Sequence, residues 1–402
     1  MKKKERGLLQ LQLVVFALVS ASFTNIYITQ PILPVLQDEF GVTPVQVSLT
    51  VSFVILGIVL SNLFFGFLSD RFPVHPIILT GGVCVAIGGL VAAATHDFKI
   101  LVMARLFQGI FLPALTTSLA AWLARTLPGK RLSIVMGSYV SATVMGGLGG
   151  RLLGGWIHPP LHWRYAFISA SVLILITTII TVLTLPRTPI KKVINLEKNE
   201  GFFSLIKRRD LLMLYCCGAG GLLMFSPVFN FLPYRLAGAP FHFSTELITF
   251  IYFVYVMGIF IGPIAGRINN KFGGGNALIA GTSLLGVSFG LLLIPSVTAI
   301  ILGLLGICTG FFTIHSVAVG LLNQKLSGSH GKANALYVLF YYIGGWLGIT
   351  GAGFVFQYIG WNGGIFFVML FLVIPLITGL FEKRNQSTNK QKIKQNVPET
   401  RD

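Results

Sequence analysis

The run Gly137-Ser-Tyr-Val-Ser-Ala-Thr-Val-Met-Gly146-Gly147-Leu-Gly149-Gly150-Arg151-Leu-Leu-Gly154-Gly155-Trp156 is apolar enough to lie in lipid and rich in glycine. It holds one arginine in an otherwise uncharged stretch. Gly146, Gly150 and Gly154 fall on one helical face, the small-xxx-small pattern that lets two membrane helices approach closely. A weaker copy lies 198 residues further on. Tyr139, Gly146, Gly147, Gly150 and Gly155 map onto Tyr337, Gly344, Gly345, Gly348 and Gly353, and Trp163 maps onto Trp361. A fixed shift of that size marks a duplicated chain, an arrangement common among membrane transport proteins.

Composition agrees. Soluble domains carry about 25% charged residues; this chain has 10%, with 54% hydrophobic residues and a mean hydropathy of +0.80. The formal charge of +18 would suit a nucleic-acid binder, but its distribution argues against one. On the span boundaries given below, 25 of the 30 Lys and Arg fall in termini and alternate loops that share one side. That asymmetry is the positive-inside rule, which places both termini in the cytoplasm and the chain in the cytoplasmic membrane. The charge then reports topology and contact with anionic lipid. Cys84, Cys216, Cys217 and Cys308 lie in apolar runs without metal-ligand or Cys-x-x-Cys spacing, so they read as packing residues.

Lys2, Lys3 and Lys4 precede an apolar segment, as in a signal peptide, but the apolar run continues to Leu36, too long for a cleavable core. It reads as a first span. Further runs long enough to cross ~30 Å of hydrocarbon follow, giving spans near 11–36, 44–66, 77–95, 98–121, 132–156, 163–185, 211–234, 244–266, 276–295, 297–320, 333–357 and 361–381. The expected fold is all-α: twelve transmembrane helices in two pseudo-symmetric six-helix bundles, 1–185 and 211–381. Residues 186–210 read as a cytoplasmic linker and 382–402 as a disordered cytoplasmic tail. Pro31 and Pro34 in span one, Pro113 in span four, and Pro227 and Pro233 in span seven suggest helices broken where they line a cavity.

Gly66-Phe67-Leu68-Ser69-Asp70-Arg71 closes span two. It resembles the loop signature of the major facilitator superfamily, Gly-x-Leu-x-Asp-Arg-x-Gly-Arg-Arg/Lys, although Phe72-Pro73-Val74-His75-Pro76 replaces its second half. A degraded copy, Gly262-Pro263-Ile264-Ala265-Gly266-Arg267, follows span eight and lacks the aspartate. The resemblance implies a gate in which Gly66, Asp70 and Arg71 take part, Asp70 meeting the start of span eleven near Ala333 to lock the outward-facing form. Arg105-Leu-Phe-Gln108-Gly109 looks like the family's fourth-helix signature, Arg-x-x-Gln-Gly, which implies proton coupling through Arg105 and Gln108. The antiporter signature of the fifth helix, Gly-x8-Gly-Pro-x-x-Gly-Gly, is matched only in part. Gly137 and Gly146 keep its spacing, Gly147 replaces the proline, and Gly150-Arg151 closes it. Gly150–Trp156, Leu232–Leu236 with Pro240-Phe241, and His162–Phe167 are more similar to the YnfM-like, arabinose-efflux-like branch of the twelve-span drug:proton antiporters. The family resemblance spans the whole chain; the branch resemblance rests on these short stretches.

None of the twelve acidic residues lies mid-span. Arg105, Arg151 and Arg235 therefore sit in the outer half with no evident buried partner. Either Asp38 or Glu39 folds inward to exchange protons against them, or part of the positive field is free to attract an anionic or carbonyl-rich solute. Arg105, few residues into its span, could alternatively snorkel to the surface. His315, the sole histidine inside a span, has the chemistry of a proton carrier, though a lone buried histidine is more often neutral and hydrogen-bonded. Asn25, Tyr27, Gln30, Asn230, Tyr252, Tyr255, Tyr341 and Tyr342, together with Arg235, form the expected cavity wall, aromatic and weakly polar, suited to small amphipathic molecules.

The function expected is proton-coupled export of such molecules by alternating access, a monomer enclosing its path in one chain. The small-molecule substrate, protons and the bilayer are its partners; nucleic acid, cofactor, metal and enzyme chemistry are not expected. The glycine faces (Gly146, Gly150, Gly154; Gly344, Gly348) are expected to permit sliding between the bundles. Lack of a Gly-x-x-x-x-Gly-Lys-Ser/Thr loop argues against an ATP-driven pump. The alternatives are an importer or facilitator of a sugar or organic anion, which the free arginines favour, and a non-transporting membrane sensor.

Overall fold

In hydrocarbon every backbone N–H and C=O must be satisfied internally, which leaves a chain of this composition only helices or a closed barrel. The computed structural model describes residues 2–186, 200–326 and 329–396, and among them no strand occurs. The first half comprises α1 (Lys2–Tyr27), a 3-10 turn Gln30–Ile32, α2 (Leu33–Phe40), α3 (Pro44–Arg71), α4 (Val74–Ala94), α5 (Phe98–Thr126), α6 (Gly129–Ile157) and α7 (Trp163–Thr184). A short α8 (Phe202–Lys207) leads into the second half. There follow α9 (Arg209–Ala237), α10 (Thr245–Ile251), a 3-10 turn Tyr252–Val256, α11 (Met257–Phe272), α12 (Gly274–Leu293), α13 (Val297–Gln324), α14 (His330–Met369) and α15 (Val373–Asn396).

Ten described segments are long and apolar enough to span a bilayer. One of them, His330–Gln386, is two spans joined at Gly360, whose φ of +74° lies in the left-handed region that glycine tolerates. Side-chain proximities across that point, Phe367 to Gly351 and Phe356 to Gly364, show the chain folding back as a hairpin. α6 falls outside the ten because its glycines and Arg151 dilute its hydropathy, yet it packs along α1 like its neighbours. Among the described residues the spans number the expected twelve, six in each half. Local signals set several boundaries. Thr43 and Gln46 form a reciprocal capping box at the start of α3, and Asp97 caps α5 by accepting from the Lys99 and Ile100 amides.

The glycine stripe does something other than expected. A Cβ at Gly146, Gly150 or Gly154 would overlap the carbonyls of Ser20, Thr24 and Ile28 in α1, and one at Gly344 or Gly348 would overlap those of Ala219 and Leu223 in α9. These faces therefore clamp α1 to α6 and α9 to α14 inside each bundle, and they do not form a sliding contact between bundles. The repeat holds in three dimensions, since both clamps follow the same register. On the adjacent face Gly155 meets Thr249 of the other bundle, whereas Gly353 meets Phe231 of its own bundle first and Val45 of the other only beyond it.

Two segments lie outside the spans. Within 186–210, residues 187–199 lie outside the described residues. The remainder is ordered: the Glu200 amide donates to Ser329 Oγ at 2.8 Å, and Arg208 donates to Asp210 (3.0 Å) and to the Lys325 carbonyl (3.1 Å). The expected disordered tail is helical to Asn396, with 397–402 outside the described residues. Its first residue, Glu382, is buried and pairs with Lys325 at 3.1 Å, which anchors the extension of α15.

With twelve spans between them, Lys2 at the start of α1 and Asn396 at the end of α15 fall on one side of the bundle, called here the termini side. Contacts between the halves concentrate on the far side. Asn230 Nδ2 donates to Ser48 Oγ at 2.9 Å, and Trp156 packs on Phe250 and Phe253 at ring separations of 5.2 and 5.9 Å. Core residues cross over as well: Val144 and Leu148 of α6 join the second bundle's core, and Ile349 of α14 joins the first.

Candidate functional site

Two helices are interrupted along the seam between the halves. Pro31 and Pro34 account for the break after Tyr27, but the 3-10 turn Tyr252–Val256 contains neither proline nor glycine and has no sequence signal. Between these breaks lies Arg151, about 1% exposed. Its guanidinium carbon sits 4.3 Å from the Tyr27 ring centre, 4.1 Å from Tyr255, 5.4 Å from Tyr252 and 5.7 Å from Phe229. Nη1 donates to the Gly147 carbonyl at 2.6 Å and Nη2 to Tyr255 Oη at 3.1 Å, while Nε is buried without an acceptor. A Cβ at Gly147 would meet the Arg151, Tyr27 and Tyr255 side chains at 3.5–3.8 Å, ordinary contact distance, so this packing does not itself require glycine there. Tyr252 is itself held by donation to the Phe229 carbonyl at 2.9 Å. The cation is thus stabilised by π faces and neutral dipoles. At the pseudo-symmetric position stands Ile349, an ordinary core residue, so the repeat does not require an arginine there.

Several other buried polar atoms without partners belong to seam-forming elements, among them both amide atoms of Gln30, Oδ1 of Asn230 and Nε1 of Trp346, while others, such as Ser171 Oγ, Thr178 Oγ1, Arg164 Nε and Arg235 Nε, lie elsewhere. The expected wall residues Tyr27, Tyr252 and Tyr255 gather around Arg151. Asn230 reaches across to Ser48, and Gln30 lies in the turn that packs against α6, α9 and α10. Tyr341 and Tyr342 form a second aromatic group nearer the termini side, with Phe311, Tyr337 and His315. His315 Nδ1 is 3.0 Å from Tyr337 Oη. Asn25 points elsewhere. It donates to the Ala21 carbonyl and accepts from Gln108 at 3.4 Å, inside the first bundle.

Arg105 differs from Arg151. It is fully buried, and all three of its nitrogens donate: Nε to the Thr50 carbonyl (2.8 Å), Nη1 to Gln108 Oε1 (2.6 Å) and Nη2 to the Ile26 carbonyl (2.8 Å). Gln108 passes the network on to the Val85 carbonyl at 3.0 Å. The Ile26 carbonyl is freed by the end of α1, so Arg105 fastens the broken helix to α3 and α5. Snorkelling does not describe this side chain.

The remaining candidates are dispersed. Glu39 faces none of the three arginines first considered for it. It accepts from Trp163 Nε1 and from Arg164 Nη1 (2.7 Å), with His162 3.9 Å away, and Arg164 also donates to the Thr95 carbonyl. Asp38 is exposed at the same far-side rim. There, burial and the neighbouring His162 hold the His158 imidazole below its ordinary range. Arg235 stacks on Phe241 at the far end of α9 and takes no part in the group around Arg151. Asp70 accepts from Arg125 of its own bundle at 3.1 Å and is two-thirds exposed, so the contact expected near Ala333 is not made in this conformation. Arg71 lies over the Phe67 ring beside it.

Comparison with known proteins fits this geometry. The family model described as Major Facilitator Superfamily matches residues 15–348. The chain is 30% identical to the inner membrane transport protein YnfM of Escherichia coli K12 over 93% of this chain and 91% of that protein. It is 28% identical to an uncharacterized transporter of Buchnera aphidicola subsp. Schizaphis graminum, covering 95% and 94%. Among solved structures, a bacterial homologue of the human lysosomal transporter Spinster in an inward-facing, unoccupied conformation superposes with a TM-score of 0.74 at 17% identity, covering 94% and 97%. The human organic anion transporter MFSD10 superposes at 0.70 and 18% identity, covering 92% and 99%.

Proposed function

Because this chain belongs to the major facilitator superfamily, and is therefore a multi-pass membrane transporter rather than an enzyme, we propose that it exports small amphipathic molecules from the cell in exchange for protons. The termini side is then the cytoplasmic face of the cytoplasmic membrane, in keeping with the clustering of Lys and Arg there. One observation carries the reading: Arg151, buried on the seam between two interrupted helices under four aromatic rings, where an amphipathic solute would meet apolar faces and one polar handle. Rocking of residues 1–185 against 211–381 would expose that point to each side in turn. The internal glycine clamps support movement of each bundle as a unit, and the far-side contacts support a conformation open toward the cytoplasm. In the opposite conformation Asp70 would leave Arg125 for the start of α14. The chain works as a monomer in this scheme, with its path enclosed by its own two halves.

The test is transport by purified protein in proteoliposomes under an imposed pH gradient, with counterflow as a gradient-independent control. Substrate-dependent proton movement opposite in direction to the solute is the expected result. Solute and protons moving together would make it an importer, and an absence of any solute movement would end the transporter reading.

A further inference from the structure

The two buried arginines part company in one respect. Arg105 has an acceptor for each of its three nitrogens, whereas Arg151 has two neutral acceptors and a buried Nε with none. No carboxylate pairs with Arg151 among the described residues, and its symmetry mate is Ile349, so neither the local network nor the repeat explains a charge there. An arginine in the membrane interior is costly; Arg105 offsets that cost with a bond from each nitrogen, and Arg151 with bonds from only two. The π faces of Tyr27 and Tyr255 keep the cation tolerable while leaving Nε without an acceptor beside Nη2, which donates to Tyr255 Oη. Nε with Nη2 forms one of the two edges by which a guanidinium can grip two coplanar oxygens at once.

We propose that the transported molecule carries a carboxylate, bound by the Nε edge of Arg151 with its apolar or aromatic body against Tyr27, Phe229, Tyr252 and Tyr255. The proposal rests on the seam being the transport path. It assigns the solute a single negative charge, since Arg105 is already fully bonded and Arg235, whose Nε also lacks an acceptor, stacks on Phe241 at the far-side rim, away from the rings around Arg151. The orphaned amide of Gln30 and Oδ1 of Asn230 supply neutral donors and acceptors for further polar groups.

Three probes of nearly equal shape separate the possibilities: phenylbutyrate, phenylbutyramide, and phenylpropyl-trimethylammonium. Full-length protein in proteoliposomes is loaded with each, and exchange is measured under the same pH gradient; stabilisation of detergent-purified protein by each probe gives a binding readout. The expected result is exchange of the carboxylate at least tenfold faster than either neighbour. Arg151→Lys should keep that preference at reduced rate, and Arg151→Gln should bring the amide level with the carboxylate. Wild-type protein that moves the amide or the ammonium ion as well as the carboxylate overturns the anion assignment and leaves the transporter standing, whatever the variants do. If no probe moves or stabilises the protein under any gradient, the anion assignment and the path through the seam both fall.

Discussion

Replacing Arg105 by methionine removes three hydrogen bonds of 2.6–2.8 Å that join α5 to the Thr50 carbonyl, to Gln108 and to the broken end of α1 at Ile26. Bonds from a charged donor contribute about 1.5–3 kcal/mol each, so the loss is roughly 4.5–9 kcal/mol before compensation. Removing the buried charge returns about 2.5–3.5 kcal/mol on insertion scales, leaving a net destabilisation of roughly 1–6.5 kcal/mol. Arg105→Lys is the informative companion. Lysine keeps the charge and its burial cost, but a single ammonium lacks the planar fork that meets three separated acceptors. If Arg105 is a tie, lysine does no better than methionine; if its charge is what matters, lysine rescues. Thermal unfolding of both variants in one detergent, followed by intrinsic fluorescence, reads the difference. A lysine variant that melts with the wild type, or a methionine variant within a degree of it, refutes the reasoning.

Gly150→Val and Gly348→Val should each lower thermal stability, because the new side chain meets the Thr24 or Leu223 carbonyl and must part a helix pair; equal behaviour of the two mates is expected, and near-neutral melting of either would contradict the clamp. Glu382→Gln removes the charged partner of Lys325, whose side chain is 21% exposed and can still reach solvent, so a loss of about 1.5–3 kcal/mol is expected; Asp70→Asn, at an exposed pair, should cost no more than about 1 kcal/mol. Both are measured by the same melting assay. The His158 imidazole is held below its ordinary value of 6.5, so the folded state favours its neutral form, and its penalty is absent well above pH 6.5 and grows as pH falls below that value. Far-side acidification should thus loosen the rim, and His158→Gln should flatten the response in hydrogen exchange of the peptides around Glu246.

Much of the architecture was legible in the sequence because membrane helices announce themselves by length and the repeat by its fixed offset. Which neighbour each helix meets was not. The spacing of Gly146, Gly150 and Gly154 identified a face, but periodicity carries no information about whether that face meets α1 or the other bundle. For the same reason Asp70 and Glu39 were recognisable as isolated acids while their partners Arg125 and Arg164, distant in the chain, were not. Arg105 and Gln108 stood out by residue type, yet the carbonyls they bind belong to backbone positions that no side-chain pattern marks. The turn Tyr252–Val256 was missed outright, since no breaker residue signals it. Asn25 was placed with the cavity by its span, and its actual direction depends on the rotation of α1 about its own axis.

The hairpin at Gly360 joins the span that packs against α3 to the next one with no intervening loop. Exposed apolar side chains such as Phe366, Leu370, Val373 and Ile377 line the second arm, where lipid tails would meet them. Tilt imposed on that arm by a mismatch in bilayer thickness therefore passes directly to the seam through a single residue. Acyl-chain length becomes a control on how readily the protein changes its exposed face, and a series of vesicles differing only in that length should show a graded turnover; a flat series would mean that the hairpin bends freely at its glycine.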